Sequence, residues 1–375
     1  MFRANCAAAP STLRSQARAR LLTPTRSLRN AGESALFGRM PFGKRTISIR
    51  PMARDRLSST EVELEAVRAR LTQQLGLEYY WQRISKASEC AQCPLDEYHP
   101  SQGWRPQPHH LSKDKLWAQI REEAQQDAVS EPALASNLYS TILAHSNIEK
   151  SMAFMLANKL AWPTMLGMQL MRLIQDVYDD DPDVMEACLA DLQAVFDRDP
   201  ACDRYTLAML GFKGFQAVQS YRIAHWLWRK GRKSLALAIQ SRMSEVFHVD
   251  VHPAAVLGRG IMIDHATGVV IGETAVVGDN VSMLHRVTLG GSGTGGGVRH
   301  PTIGHGVLLG AGVTVLGPVT VGAGSKLGAG SVVVTDIPCH SVAVGVPAKI
   351  IKRDLVKEPV KDMDQCVDFV LNYDI

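Results

Sequence analysis

An aliphatic residue recurs at every sixth position through the last third of the chain. The series runs Val251, Leu257, Ile263, Val269, Ala275, Val281, Val287 and resumes in a new phase at Ile303, Leu309, Val315, Val321, Leu327, Val333. A period of six is neither the 3.6 of a helix nor the 2 of a lone strand. It marks hexapeptide β-helix repeats, three hexads to a triangular coil, with the aliphatic side chain pointing inward. Small residues such as Gly258, Gly304 and Gly310 follow the aliphatic one and suit the corners. Val287 and Ile303 are sixteen residues apart, which is not a multiple of six. The segment 290–301, rich in glycine, therefore leaves the coil as an extruded loop. It either meets a ligand with Arg299 and His300, which Pro301 holds at its end, or is a plain surface loop.

Upstream the period changes to three and four. From Leu111 to about Phe247 apolar residues recur at helical spacing, as in Leu134, Leu138, Ile142 and then Met152, Met155, Leu156, Leu160. The methionines and tryptophans of these stripes are expected to be core. An all-α domain over 111–247 is thus followed by a β-helix over 248–348, an α+β multidomain chain in which the helices cap the solenoid and mediate oligomer contacts. Residues 51–110 read as a variable extension, with a helical pattern from Ser59 to Ile84 and a Pro- and His-containing connector up to Leu111. Residues 349–375 form a tail. Asp199, in Asp197-Arg198-Asp199-Pro200, reads by itself as a helix-boundary residue.

Composition changes this picture at the N-terminus. The 375 residues carry a formal charge of +4, yet residues 1–50 hold ten Arg or Lys and one acidic residue, Glu33. The remainder has 31 basic against 36 acidic side chains and no nucleic-acid footprint. The Arg-, Ala- and Ser-rich segment 1–50 lacks an apolar core and has the composition of a transit peptide, plastid or mitochondrial, or is a basic tail. The most apolar stretch, 153–174, contains Lys159, Pro163 and Arg172, so no membrane span is expected. Seven scattered cysteines suit free thiols, and Cys90-x-x-Cys93 has no second pair to complete a zinc site.

Candidate chemistry lies on the coil. His265 follows Asp250 by fifteen residues, nearly one coil of eighteen, so the two are expected on neighbouring coils. A histidine held by a carboxylate is a general base near neutral pH. With no nucleophilic Ser or Cys beside it, the pair would activate a substrate hydroxyl or amine. The run from Asp250 through Gly258-Arg259-Gly260 and Asp264-His265-Ala266-Thr267-Gly268 to Gly272-Glu273-Thr274-Ala275 resembles the serine O-acetyltransferases. So do Val287-Thr288-Leu289-Gly290-Gly291, Arg299-His300-Pro301, Gly345-Val346-Pro347-Ala348, Gly211-Phe212-Lys213-Gly214-Phe215 and the terminal Asp374-Ile375. The likeness covers about residues 114–375.

The resemblance implies a left-handed parallel β-helix and transfer of acetyl from acetyl-CoA, a co-substrate and not a resident cofactor, to the hydroxyl of L-serine. By it His265 is the base and Asp250 its orienting carboxylate. Asp199 and Asp264 hold the serine ammonium, while Arg299 and His300 take its carboxylate. Gly291 and Ala311 line the pantetheine channel, with Lys349 or Lys352 at the CoA phosphates; no metal is implied. It also implies feedback by cysteine, trimers or paired trimers, and docking of Ile375 into O-acetylserine (thiol) lyase. The sequence departs from the family at the loop, where Val298 replaces Asp and Thr302 replaces Lys. Three other readings remain: a β-helix carbonic anhydrase using His265, His300 and His305, a non-enzymatic scaffold, and an acetyltransferase for other acceptors.

Overall fold

The computed structural model describes residues 82–87, 106–293, 295–353, 355 and 358–364. The basic segment 1–50, Cys90, Cys93, most of the Ser59–Ile84 pattern and Ile375 lie outside them. Eight α-helices run from Lys113 to the first strand: α1 Lys113–Ser130, α2 Pro132–Leu138, α3 Ile148–Leu160, α4 Gly167–Asp180, α5 Pro182–Arg198, α6 Tyr205–Gly211, α7 Lys213–Arg229 and α8 Lys233–Phe247. Proline opens α2 and α5, where its missing N–H costs nothing. Asn147 caps α3 by accepting from the Lys150 amide. The expected stripe of Met152, Met155, Leu156 and Leu160 is buried, whereas Leu134 and Leu237 face solvent.

Fifteen strands follow, and all but the last run parallel. Sheet one stacks β1 Val249–Val251, β4 Val269–Ile271, β7 Thr288–Gly290, β10 Thr314–Leu316 and β13 Val332–Val333. Sheet two stacks β2 Val256–Leu257, β5 Val276–Val277, β8 Thr302–Ile303 and β11 Thr320–Val321. Sheet three stacks β3 Met262–Ile263, β6 Ser282–Met283, β9 Leu308–Leu309, β12 Lys326–Leu327 and β14 Val342–Gly345, edged by antiparallel β15 Ala348–Lys352. Successive strands visit the three sheets in turn, which is a triangular solenoid of about five coils.

The register corrects the hexad reading. Val251 pairs with Ile271, Leu257 with Val277 and Ile263 with Met283, a step of twenty residues. The next step along sheet one, Ile271 to Leu289, is the regular eighteen. Two extra residues therefore sit in the corner 264–268. From there the strand residues in register are Ile271, Val277, Met283 and Leu289, while Val269, Ala275, Val281 and Val287 are buried two positions earlier. Val277 to Ile303 is a step of twenty-six, so the loop adds eight residues to a coil.

The helices grip the first coils through buried polar groups. Arg222 of α7 pairs with Asp191 of α5 at 2.7 Å and donates to the Gly258 carbonyl, and Asp191 accepts from the Ile261 amide. The Tyr221 hydroxyl donates to the Ala255 carbonyl. Arg198, last in α5, donates to the Gly260 carbonyl, Ser282 and Asn280. These bonds fix the end of α5, and with it Asp199, against the corner between sheets two and three, at the other end of β3 from His265.

Candidate active site

The expanded corner places the first group. His265 and Ala266 both adopt left-handed backbone conformations, with φ of 54° and 56°. Such a conformation is uncommon for a residue with a Cβ and costs of order 1–3 kcal/mol where the surroundings impose it. Here it is held by the Gly268 amide donating to the His248 carbonyl and the Arg286 amide to that of Thr267. The result is a His265 side chain 75% exposed, with Nε2 3.8 Å from Asp264 Oδ2 and its ring edge-on to His285. Asp264 is half-buried, and its carboxyl is raised above the usual range by burial and by the charge of Asp199, against the pull of His265. Asp199 caps α5, its Oδ1 accepting from the Ala201 amide. Two carboxylates and an imidazole thus share one corner, and each carboxylate makes a cation more welcome to the other.

Asp250 is placed differently from expectation. Its Oδ1 accepts from Gln240 Nε2 at 2.7 Å, and no hydrogen bond joins it to His265 among the described residues. The carboxylate beside the imidazole is Asp264.

The second group lies at the other end of sheet one. The His300 ring covers Gly272, so closely that a Cβ there would fall 1.9 Å from Nε2. Thr274 fixes the ring: its amide donates to His300 Nδ1, its hydroxyl lies 2.9 Å from the same nitrogen, and that hydroxyl accepts from the Arg299 and His300 amides. With Nδ1 an acceptor, Nε2 carries the proton in the neutral ring. Burial, then the Arg299 charge, push His300 below the usual histidine range, so the ring stays neutral and still offers Nε2–H. Arg299 pairs with Glu273 at 3.0 Å. A Cβ on Gly291 would meet His300 Nε2 at 3.1 Å and Arg299 Nη1 at 3.2 Å, so the missing side chain leaves a space bordered by two donors. Gly291, expected along the CoA channel, borders this group.

The remaining CoA candidates are split. Ala311 shares the corner column of His265, the Gly312 amide donating to the His285 carbonyl, but packs with Leu284, Leu308, Val360 and Met363. Lys349 and Lys352 are exposed on β15, five strands from β3 along sheet three, about 24 Å at the usual strand spacing. The sequence reading missed Glu273, Thr274, Gln240 and His285; the first two stand in its own Gly272–Ala275 motif. Lys213, whose ammonium bonds Thr267 at the active corner, was likewise unassigned.

The three histidines of the carbonic anhydrase reading occupy three different corners. His305 is buried, its Nδ1 accepting from the Asp279 amide. The one metal-competent grouping among the described residues is His109, His110 and Asp197. There His110 Nδ1 accepts from the Gln107 amide, which leaves the proton on the Nε2 that faces Asp197. That tautomer makes the trio a tie for the connector, not a ligand set.

A family model described as serine acetyltransferase, N-terminal, matches residues 116–220, and the bacterial transferase hexapeptide model matches residues 300–335. Serine acetyltransferase 4 of Arabidopsis thaliana is 55% identical over 240 residues, 64% of this chain and 68% of that protein. The crystal structure of the Vibrio cholerae serine acetyltransferase is 47% identical, covers 68% of this chain and 99% of its own, and superposes with a TM-score of 0.67. The soybean serine acetyltransferase complexed with serine is 54% identical, covers 65% of this chain and 100% of its own, with a TM-score of 0.63. Other solved serine acetyltransferases carry cysteine or CoA. With half its residues shared over two thirds of its length, and the same helical cap on the same solenoid, this chain belongs to the serine acetyltransferase family.

Proposed function

We propose that this chain transfers the acetyl group of acetyl-CoA to the hydroxyl of L-serine, giving O-acetyl-L-serine and CoA. One observation carries the choice of acceptor. The chain offers a pair of carboxylates, Asp199 and Asp264, beside an exposed imidazole, and a separate pair of donors, Arg299 and His300. An α-amino acid has an ammonium for the first pair, a carboxylate for the second and, in serine, a hydroxyl for His265. Amino sugars lack the carboxylate.

The imidazole of His265 takes the hydroxyl proton as serine Oγ attacks the thioester carbon. The imidazolium, close to Asp264, then returns the proton to the departing CoA thiolate. Asp250, held by Gln240, is assigned the lesser role of a second carboxylate near this sheet edge. Acetyl-CoA would reach His265 along the corner column past Ala311, with its phosphates toward Lys349 and Lys352.

The two groups lie at opposite ends of sheet one, and one serine is too small to bridge them. Two copies, each offering one group, make a whole site; this supports a homo-oligomer, trimers or pairs of trimers. Cysteine has the same charged ends as serine and would compete for the same seat. Docking of Ile375 into O-acetylserine (thiol) lyase, and delivery to a plastid or mitochondrion by residues 1–50, are carried by the sequence alone.

The test is an acceptor panel with acetyl-CoA. L-serine is expected to be acetylated far faster than L-homoserine or glucosamine; a preference for the amino sugar would refute the assignment.

A further inference from the structure

Resting on that reading of the serine seat, we infer that Arg83 is a positioning residue for the Arg299–His300 pair, supplied by chain upstream of both matched family regions. The N-terminal family model begins at residue 116, and Arg83 precedes it by more than thirty positions. Its guanidinium makes three hydrogen bonds to the wall of this site. Nη1 donates to the Thr274 carbonyl at 2.8 Å, Nη2 to the His300 carbonyl at 3.2 Å and Nε to Thr302 Oγ1 at 2.9 Å. A planar fork of N–H groups is suited to joining acceptors on separate strands of chain, which an ammonium is not.

The acceptors are the ones that matter for the pair. Thr274 is the residue whose hydroxyl gathers the Arg299 and His300 amides and whose amide sets the His300 tautomer. The His300 carbonyl and Thr302 are where the glycine-rich loop rejoins β8. That loop brings eight extra residues back to the coil, and its glycines give it no stiffness of its own. Arg83 links the loop's return to the Gly272–Ala275 corner, so Arg299 and His300 are presented from a closed frame. Its cation behind His300 also acts in the same direction as burial, keeping that ring neutral.

The segment carrying Arg83 is itself docked. Residues 82–87 are helical; Ile84 and Ala87 are each 2% exposed. Ile84 packs on Val276 and Val256 of sheet two, and the Ala87 carbonyl accepts from the Ala323 amide one coil beyond the loop. The contact is built from backbone, apolar and charged groups together, over four coils.

Steady-state kinetics on the full chain test this. Arg83→Ala is expected to raise the KM for serine about tenfold while the KM for acetyl-CoA moves less than about twofold. Arg83→Lys should recover only part of the loss, because it keeps the charge and loses the fork. Thr302→Val, which removes one acceptor and leaves the docked segment whole, should give a smaller rise in the same constant. In an Arg299→Ala background, Arg83→Ala should add only part of its own penalty, through His300, since one of the two groups it positions is gone. An unchanged serine KM in Arg83→Ala, or penalties that add fully in the double variant, would overturn the inference alone. A wild-type chain with no activity on serine would overturn it together with the proposed function.

Discussion

At Gly214 the helical domain presses on the backbone that enters the catalytic corner, and replacing it with alanine is a direct probe of how tightly that corner is held. Gly214 sits in the first turn of α7 with the backbone of Ile263 against it. A Cβ built there falls 1.8 Å from the Ile263 carbonyl oxygen and 2.9 Å from its carbon. Real Cβ contacts essentially never go below 3.0 Å, so helix and strand must part by about 1.2 Å. The obstacle is backbone and cannot swing aside. Ile263 is followed immediately by Asp264 and His265, whose left-handed φ leaves little slack to absorb the shift. Overpacking of this kind costs about 1–3 kcal/mol of stability. A displacement near 1 Å at reacting groups is worth about a hundredfold in rate. Gly214→Ala is therefore expected to lower kcat about a hundredfold with serine, with a melting loss of only a few degrees. Acetyl transfer followed by thiol release, beside a melting curve, measures both. A variant with wild-type kcat would show that α7 does not set the position of His265.

Asp191→Ala leaves the Arg222 guanidinium buried without its partner and orphans the Ile261 amide, which costs about 3–5 kcal/mol, or roughly 6–15 °C in the melting midpoint; a drop under about 2 °C would contradict the clamp. His225 is expected to make the fold acid-sensitive. Burial, partly offset by its bond to the Pro253 carbonyl, lowers its pKa from 6.5 to about 4. The unfolded chain takes up a proton below about 6.5 that the folded chain refuses until near 4, so stability is full above this window and falls as pH drops through it, by up to about 3 kcal/mol. His225→Asn, which keeps a donor for Pro253, should flatten the melting profile there; an unchanged slope would refute the assignment. His300, His305 and His252 are shifted the same way and add to the wild-type slope.

Much of this arrangement is legible in the chain, and the exceptions have physical causes. The hexad period identifies the solenoid because an inward residue at each face is obligatory. It does not reveal the two-residue expansion at Asp264–Gly268, because aliphatic residues fill both the inward position and the one two before it, as Val269 and Ile271 do. A rhythm that is satisfied in either phase cannot report a slip between them. The glycine loop, by contrast, has a single aliphatic residue, Val298, too few to disguise its eight extra positions. His265 and Asp264 are readable from their motif, but the partner of Asp250 is Gln240, ten residues earlier on α8, brought to it by the packing of the helix on the coil and not by the hexad rhythm. Arg83 is hidden for the same reason. Thr302 stands where the resembled pattern has a lysine, and the cation at that place arrives from more than two hundred residues upstream.

The central claim is that His265 takes the proton from a serine hydroxyl, and a rapid-quench measurement of acetyl transfer by purified His265→Ala tests it most directly. With saturating acetyl-CoA and L-serine, the account predicts a chemical step slowed by about 10²–10⁴-fold, with melting midpoint and serine binding close to wild type. A variant that transfers acetyl to serine within a few-fold of the wild-type rate would contradict it.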